Sequence, residues 1–170
     1  MLLAYISLGS NLSDRAENLR HAVEQMRDNG IKVSRLSQVY ETEPVETFPQ
    51  PLFLNMIAEV SLDESTTPEH LMTQLLEIEQ TLGRKRDATK GPRTIDLDLV
   101  IFGKEIRDTE FLQLPHPRFH QRRFVLVPLV ELSPSLEHPV LRQTVSELLR
   151  QTPDKSNVVV WADIQTKPEP

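Results

Sequence analysis

Along the first 102 residues the apolar pattern changes from a period of two to a period of 3.6 and back, twice. Leu2, Ala4, Ile6 and Leu8 alternate with Leu3, Tyr5, Ser7 and Gly9, which predicts a strand over 2–9. Ser10, Asn11 and Ser13 offer a turn and a helix N-cap. Ala16, Leu19, Ala22, Val23 and Met26 then recur at helical spacing up to the stop at Asn29-Gly30. Residues 31–40 read as a second strand, and 41–52, with three prolines, as a loop. On a third strand, 53–62, Leu54, Met56, Ala58, Val60 and Leu62 share one face while Phe53, Asn55 and Ile57 point the other way. Thr67-Pro68-Glu69 starts a second helix, Leu71, Leu75, Ile78 and Leu82 form its stripe, and Gly83 ends it. Ile95, Leu97, Leu99 and Ile101 mark the apolar face of a fourth strand over 94–102.

This βαββαβ order predicts an α+β, ferredoxin-like sandwich with extra C-terminal elements. Two helices cover one face of an antiparallel sheet, and the opposite face carries Phe53, Asn55, Asp96 and Asp98. Residues 103–123 read as a long loop with a short strand or turn. Short helices are expected over 124–132 and 144–151, and a terminal strand over 158–161. One domain is expected over 1–162, followed by a frayed tail at 163–170.

Composition removes several classes of function. No apolar run approaches the ~18 residues of a membrane span, and the opening MLLAYISLGSNLSDR lacks the layout of a secretory signal. With no cysteine, disulfides, thiolate zinc sites and cysteine nucleophiles are excluded. A cytoplasmic protein is the expectation. The five glycines, at 9, 30, 83, 91 and 103, build neither GxxxxGKS/T nor GxGxxG. A phosphate-rich ligand would therefore be held by side chains and metal. The net charge of −6 argues against general nucleic-acid affinity, but it is unevenly placed. Residues 84–93 carry +4 and residues 116–123 carry +3, leaving −13 for the remainder. Two basic islands in an acidic chain suggest a local anion site, although basic surface loops alone would read the same way.

Asp96-Leu97-Asp98 is the strongest local chemical signal. Residues two apart on a strand share a face at roughly 6.5–7 Å. Two carboxylates at that spacing repel by about 2.5 kcal/mol at an effective dielectric near 20. One or two divalent cations convert the repulsion into coordination, and hard oxygen donors suit magnesium together with phosphate oxygens. A strand with two solvated aspartates is the plain alternative. Arg93 three residues earlier, the Gly91-Pro92 turn, and Arg84, Lys85, Arg86 and Lys90 supply the cations that phosphoryl transfer needs beside such a pair. His116 and His120 lie in the second island with Arg118, Arg122 and Arg123. No third zinc ligand is visible at sensible spacing, and phosphate bonding by His116 and Arg122 fits the magnesium reading better. His21, His70 and His138 read as surface or helix residues. Glu79 lies just off the Leu71–Leu82 stripe, at the rim of a site or as an exposed helix acid. Phe53 and Asn55 on one strand face, with Phe124 from elsewhere, suit a flat heterocycle; plain core packing is the alternative.

Taken together these residues resemble a known family. The run GPRTIDLDLVIFG (91–103) is similar to the signature of the 6-hydroxymethyl-7,8-dihydropterin pyrophosphokinases. AYISLGSNLSDR (4–15), YETEPV (40–45), FLN (53–55), IEQTLGRKR (78–86) and LPHPRFHQRRFVLVPLVEL (114–132) follow in the family's order. The resemblance implies that ATP donates a pyrophosphoryl group to the hydroxymethyl of a reduced pterin in folate synthesis, with attack on the β-phosphorus and release of AMP. It implies two Mg²⁺ ions on Asp96 and Asp98, catalytic arginines at Arg84 and Arg93, and nucleotide contacts from Glu79, Arg86, His116 and Arg122. It places Thr42, Val45, Phe53, Asn55, Asp96 and Phe124 at the pterin, with Leu8, Gly9, Ser10 and Asn11 lining the same region. A monomer with small-molecule substrates, and no nucleic-acid or membrane partner, is expected. Three positions depart from some members: Lys90 replaces a large aromatic, Phe111 an arginine and Phe53 a tyrosine. A polymerase-β-type nucleotidyltransferase fits less well, since Gly9-Ser10 lies far ahead of Asp96. A ferredoxin-like nucleic-acid-binding module would present exposed aromatics and basic residues on the sheet, where two aspartates are expected here.

Overall fold

The computed structural model describes residues 1–44, 49–83 and 94–161. In chain order the elements are β1 (Leu2–Ser10), α1 (Arg15–Asp28), β2 (Lys32–Leu36), β3 (Tyr40–Thr42), β4 (Phe53–Leu62), α2 (Pro68–Thr81) and β5 (Asp96–Phe102). They continue with β6 (Arg107–Asp108), β7 (Gln113–Leu114), a 3-10 turn (Phe119–Gln121), α3 (Arg123–Leu132), α4 (Val145–Gln151) and β8 (Val158–Val160). The main sheet is antiparallel and ordered β5-β1-β4-β3-β8, with β2 also paired to β4. β6 and β7 form a separate hairpin.

The face expected to be helix-covered is so. Ala4, Ile6 and Leu8 of β1 and Leu54, Met56, Ala58 and Val60 of β4 pack on Leu19, Ala22, Val23 and Met26 of α1. Leu71, Leu75 and Ile78 of α2 complete this cluster. Each fully buried aliphatic side chain here contributes about 1.5–3 kcal/mol, so the layer is a main source of stability.

The opposite face is divided, which alternation alone does not reveal. One part is apolar: Tyr5, Ile57, Val100 and Ile101 pack under Val125, Leu126 and Leu129 of α3 and Val145 and Leu148 of α4. A buried polar link spans this layer. Glu59 accepts from the Tyr5 hydroxyl at 2.8 Å and from Arg35 Nε and Nη2 at 3.0 and 2.6 Å, while Tyr5 also meets Ser133 Oγ at 2.8 Å. Paired hydrogen bonds from Arg35, opposed by burial, hold the Glu59 carboxyl down at about 2. The other part of the face stays polar and carries the residues described below.

Six local expectations are corrected. The cap of α1 is Asp14, whose side chain accepts from the Glu17 N–H, whereas Ser13 is in the left-handed region at φ 62° and Ser10 and Asn11 serve the turn. The expected strand 31–40 is two strands. Between them the Ser37 hydroxyl accepts from the Ile57 N–H at 2.8 Å and donates to the Gln38 carbonyl at 2.8 Å, so residues 37–39 leave the ladder while remaining tied to it. β3 then runs on to Thr42, inside the expected loop. On β5, a register shift against Tyr5 and Ile6 leaves Val100 as an extra residue. This bulge turns Ile101 to the α3 side and Phe102 to the α1–α2 side, and the strand begins at Asp96 rather than 94. His138 is buried, not at the surface, where its Nδ1 accepts from the Val140 and Leu141 N–H groups and its ring stacks on Phe119. His21 and His70 are exposed as expected. The tail at 163–170 lies outside the described residues.

Candidate active site

Strand register brings the predicted pocket residues together. Gly9 pairs with Asn55 on one side and Asp96 on the other, and Asn55 pairs with Tyr40. Residues opposite one another share a face, so Asp96, Gly9 and Asn55 form one row across the sheet. Asp98, Ser7 and Ile57 form the row behind it. Thr42 lies opposite Phe53 on the neighbouring strand pair. Asp96, Asp98 and Phe53 are partly buried; Asn55 and Thr42 are buried.

The centre of the first row has no room for a side chain while the Asn55 amide keeps its place. A Cβ at Gly9 would lie 2.6 Å from Asn55 Oδ1 and 3.6 Å from Phe53 Cδ1. On its far side the same amide donates from Nδ2 to Thr42 Oγ1 at 2.6 Å. The Asn55 amide thus lies over Gly9 on β1 and is held by its bond to Thr42 on β3. Asn11 fixes the neighbouring wall, donating to Gln50 Oε1 at 2.9 Å and to the Pro51 carbonyl at 3.1 Å.

β5 is the terminal strand of the sheet among the described residues, so one side of it faces no strand. There the Leu97 N–H, between the two aspartates, donates to Glu79 Oε2 at 2.9 Å. Glu79 is 1% exposed. It therefore sits buried under the strand edge beside the two aspartates, which overturns the reading as an exposed helix acid.

The second basic island lies beside this strand. The His116 N–H donates to the Val100 carbonyl at 2.9 Å, tying the segment to β5. Its Nδ1 accepts from the Arg118 N–H at 3.3 Å, which leaves Nε2 to carry the proton of the neutral ring. Burial lowers the His116 pKa to about 4, Arg122 and Arg118 push the same way, and Asp96 opposes them. His116 is a neutral donor at physiological pH. Arg122 places its guanidinium carbon 5.6 Å from the Phe124 ring centroid, so one expected nucleotide contact rests on one expected pterin contact. Of the remaining expectations, Val45, Arg84, Lys85, Arg86, Lys90 and Arg93 lie outside the described residues.

One residue of this region was missed in the sequence. Asp154 caps the start of α3, where Arg122 and Phe124 sit, by accepting from the Arg123 N–H at 2.9 Å. Its local signal is readable, since Asp154 with Ser156 two residues on forms an Asx turn. The long-range partner is not.

Known proteins give a consistent picture. Residues 5–134 match the model of the family described as 7,8-dihydro-6-hydroxymethylpterin-pyrophosphokinase (HPPK). The chain is 40% identical over 160 residues to the 2-amino-4-hydroxy-6-hydroxymethyldihydropteridine pyrophosphokinase of Bacillus subtilis (strain 168), covering 94% of this chain and 90% of that protein. It is 43% identical over 150 residues to the folic acid synthesis protein fol1 of Pneumocystis carinii. That match covers 88% of this chain but spans only 20% of the much longer relative. Among solved structures, Plasmodium falciparum HPPK-DHPS with pteroate superposes with a TM-score of 0.66 at 13% identity, covering 88% of this chain and 44% of that one; this likeness concerns the fold. By its family match and its identity to the Bacillus protein along nearly the full length of both, the chain belongs to the 7,8-dihydro-6-hydroxymethylpterin-pyrophosphokinase family.

Proposed function

We propose that this chain transfers the terminal diphosphate of ATP to the hydroxymethyl group of 6-hydroxymethyl-7,8-dihydropterin, releasing AMP and giving a pterin diphosphate for folate synthesis. The observation that carries the reading is the row Asp96–Gly9–Asn55 on one sheet face in a chain of this family. It sets paired carboxylates within reach of a buried amide suited to the edge of a flat heterocycle. The strand order β5-β1-β4 followed by β2 and β3 supports a ferredoxin-like core, with α3, α4 and β8 added to it.

The donor set fits magnesium. Asp96 and Asp98 are hard oxygen donors on one strand face, with small neighbours at Gly9 and Ser7. Among the described residues no three His, Asp or Glu side chains form a ready-made metal site, so phosphate oxygens and water would complete the shell. When bound, two Mg²⁺ ions would neutralise phosphate charge and favour in-line displacement. The chain's own residues do the rest by placement. Asn55, held by Thr42 and Gly9, offers its amide to the pterin edge between Phe53 and Phe124. His116 donates from Nε2 to a phosphate oxygen, and Arg122 adds charge beside it. Arg84, Arg86 and Arg93 take the roles their motif positions imply, and Val45 lines the pterin. The sequence offers no obvious side-chain nucleophile, which favours direct transfer between substrates. In this reading the protein acts as a cytoplasmic monomer.

The test is incubation with ATP, magnesium and 6-hydroxymethyl-7,8-dihydropterin, followed by product identification. AMP and the pterin diphosphate are expected; pyrophosphate as the released product would refute the assignment.

A further inference from the structure

Helix α3 begins with two of the proposed contact residues, Arg122 and Phe124, yet the side chain at its cap position does not cap the helix N–H groups. Arg122 occupies that position, and a guanidinium cannot accept from a helix N–H. The acceptor comes from the C-terminal segment, where Asp154 Oδ2 takes the Arg123 N–H at 2.9 Å. Its Oδ1 takes the Ser156 N–H at 2.9 Å, and its own N–H donates to Thr152 Oγ1 at 3.3 Å. Arg123 reciprocates, donating from Nε to the Ser156 carbonyl at 3.1 Å. Partial burial works against the Asp154 charge, but the N–H groups of Arg123 and Ser156 hold its pKa below the usual carboxylate range. It is an ionised acceptor at neutral pH.

The same segment then crosses to the other wall of the site. It continues into β8, which pairs Val158 with Thr42 and Val160 with Tyr40. The Trp161 N–H donates to the Val39 carbonyl at 2.9 Å. Residues 152–161 therefore join the helix start bearing Arg122 and Phe124 to the strand bearing Thr42. Since Arg122 lies over the Phe124 ring, a shift of the first turn moves both.

We propose that Asp154 is a positioning residue for the substrate pocket, acting through the first turn of α3 to set Arg122 and Phe124 opposite Thr42 and Asn55. It touches no reacting atom. This proposal rests on the function proposed above and deepens it.

The experiment compares Asp154→Ala and Asp154→Asn with Thr144→Ala. The control removes the same kind of cap bond from α4, which carries none of the proposed site residues. The readouts are hydrogen exchange at the Arg123 amide, measured without substrate, and KM and kcat for both substrates. For Asp154→Ala the Arg123 amide exchanges about tenfold faster, and KM for the pterin rises about tenfold while kcat stays within about threefold. Asp154→Asn keeps one carbonyl acceptor for two N–H groups, and its KM falls between those of Asp154→Ala and the wild type. Thr144→Ala leaves KM unchanged. A folded Asp154→Ala with both KM values within about twofold of wild type overturns the proposal, as does an equal rise in Thr144→Ala. If Asp154→Ala does not fold, Asp154→Ser replaces it under the same criteria, since its short hydroxyl can still serve Ser156 but cannot reach Arg123. Absence of AMP formation by the wild-type protein would instead refute the proposed function, and that is read before any variant is made.

Discussion

Replacing Gly9 by alanine tests the row at the centre of the site. The backbone there is an ordinary strand, so alanine brings no backbone strain and would, on chain entropy alone, stabilise by about 0.5–1 kcal/mol. The obstacle is the Asn55 amide. The new Cβ would lie 2.6 Å from Oδ1, and an ordinary contact near 3.4 Å requires a retreat of about 0.8 Å. Retreat within the sheet plane is blocked, because Nδ2 already meets Thr42 Oγ1 at 2.6 Å on the other side. The amide must therefore swing out of its slot and lose the Thr42 bond. A buried hydrogen bond lost with its partner left unpaired costs about 1–3 kcal/mol. Set against the entropy gain, global stability should fall by no more than about 2.5 kcal/mol. Pterin binding should suffer more, since the displaced group is the one proposed to read the heterocycle. A loss of about 1.4–3 kcal/mol corresponds to an affinity roughly 10- to 150-fold weaker. Fluorescence titration with the dihydropterin, in the presence of a non-hydrolysable ATP analogue, measures the affinity, and urea unfolding measures the stability. A folded Gly9→Ala protein that binds the pterin within about twofold of wild type would refute the reasoning.

Asp96→Ala and Asp98→Ala should each abolish turnover while leaving the urea midpoint nearly unchanged; near-normal turnover in either would remove the metal assignment. Acid should weaken the Glu59 link: with a folded pKa of about 2 against an ordinary 4.5, its stabilisation is complete above the unfolded value and is lost as pH falls from 4.5 through 2. Because Arg35 is half-exposed, about 1–2 kcal/mol should disappear across that window, and Glu59→Gln should flatten the pH dependence of the urea midpoint. In the metal-free protein the His116 ring should show no NMR titration step between pH 5.5 and 8. Since its folded pKa of about 4 lies below the ordinary 6.5, this group makes the protein less stable as pH drops from 6.5 towards 4.

The parts of the fold that were legible are those set by local pattern. β4 occupies the expected residues 53–62 because its alternation is long and uninterrupted. α2 starts at its Thr67 cap because a hydroxyl acceptor, a first-turn proline and an acid coincide there. The misread parts are set across the chain. Nothing in residues 31–40 announces that Ser37 will take the Ile57 N–H and break the strand. The bulge at Val100 depends on pairing with β1, so alternation along β5 assigned Ile101 to the wrong face. For the site, the spacing of Asp96 and Asp98 was readable, as was their sharing of a face with Asn55, because both follow from period two. The burial of Glu79 was not, because it answers an unpaired N–H on a distant strand edge.

The bulge at Val100 divides β5 into two arms with different anchorage. Past it, Val100, Ile101 and Phe102 are gripped from above and below by two separate apolar clusters. Asp96 and Asp98 sit on the other arm, attached to β1 along one flank, braced by Glu79 on the other and pinned from below by buried Leu97 and Leu99. The two aspartates thus ride on a backbone anchored at both ends, and a substitution at Glu79 would disturb their spacing without touching the cluster under α3.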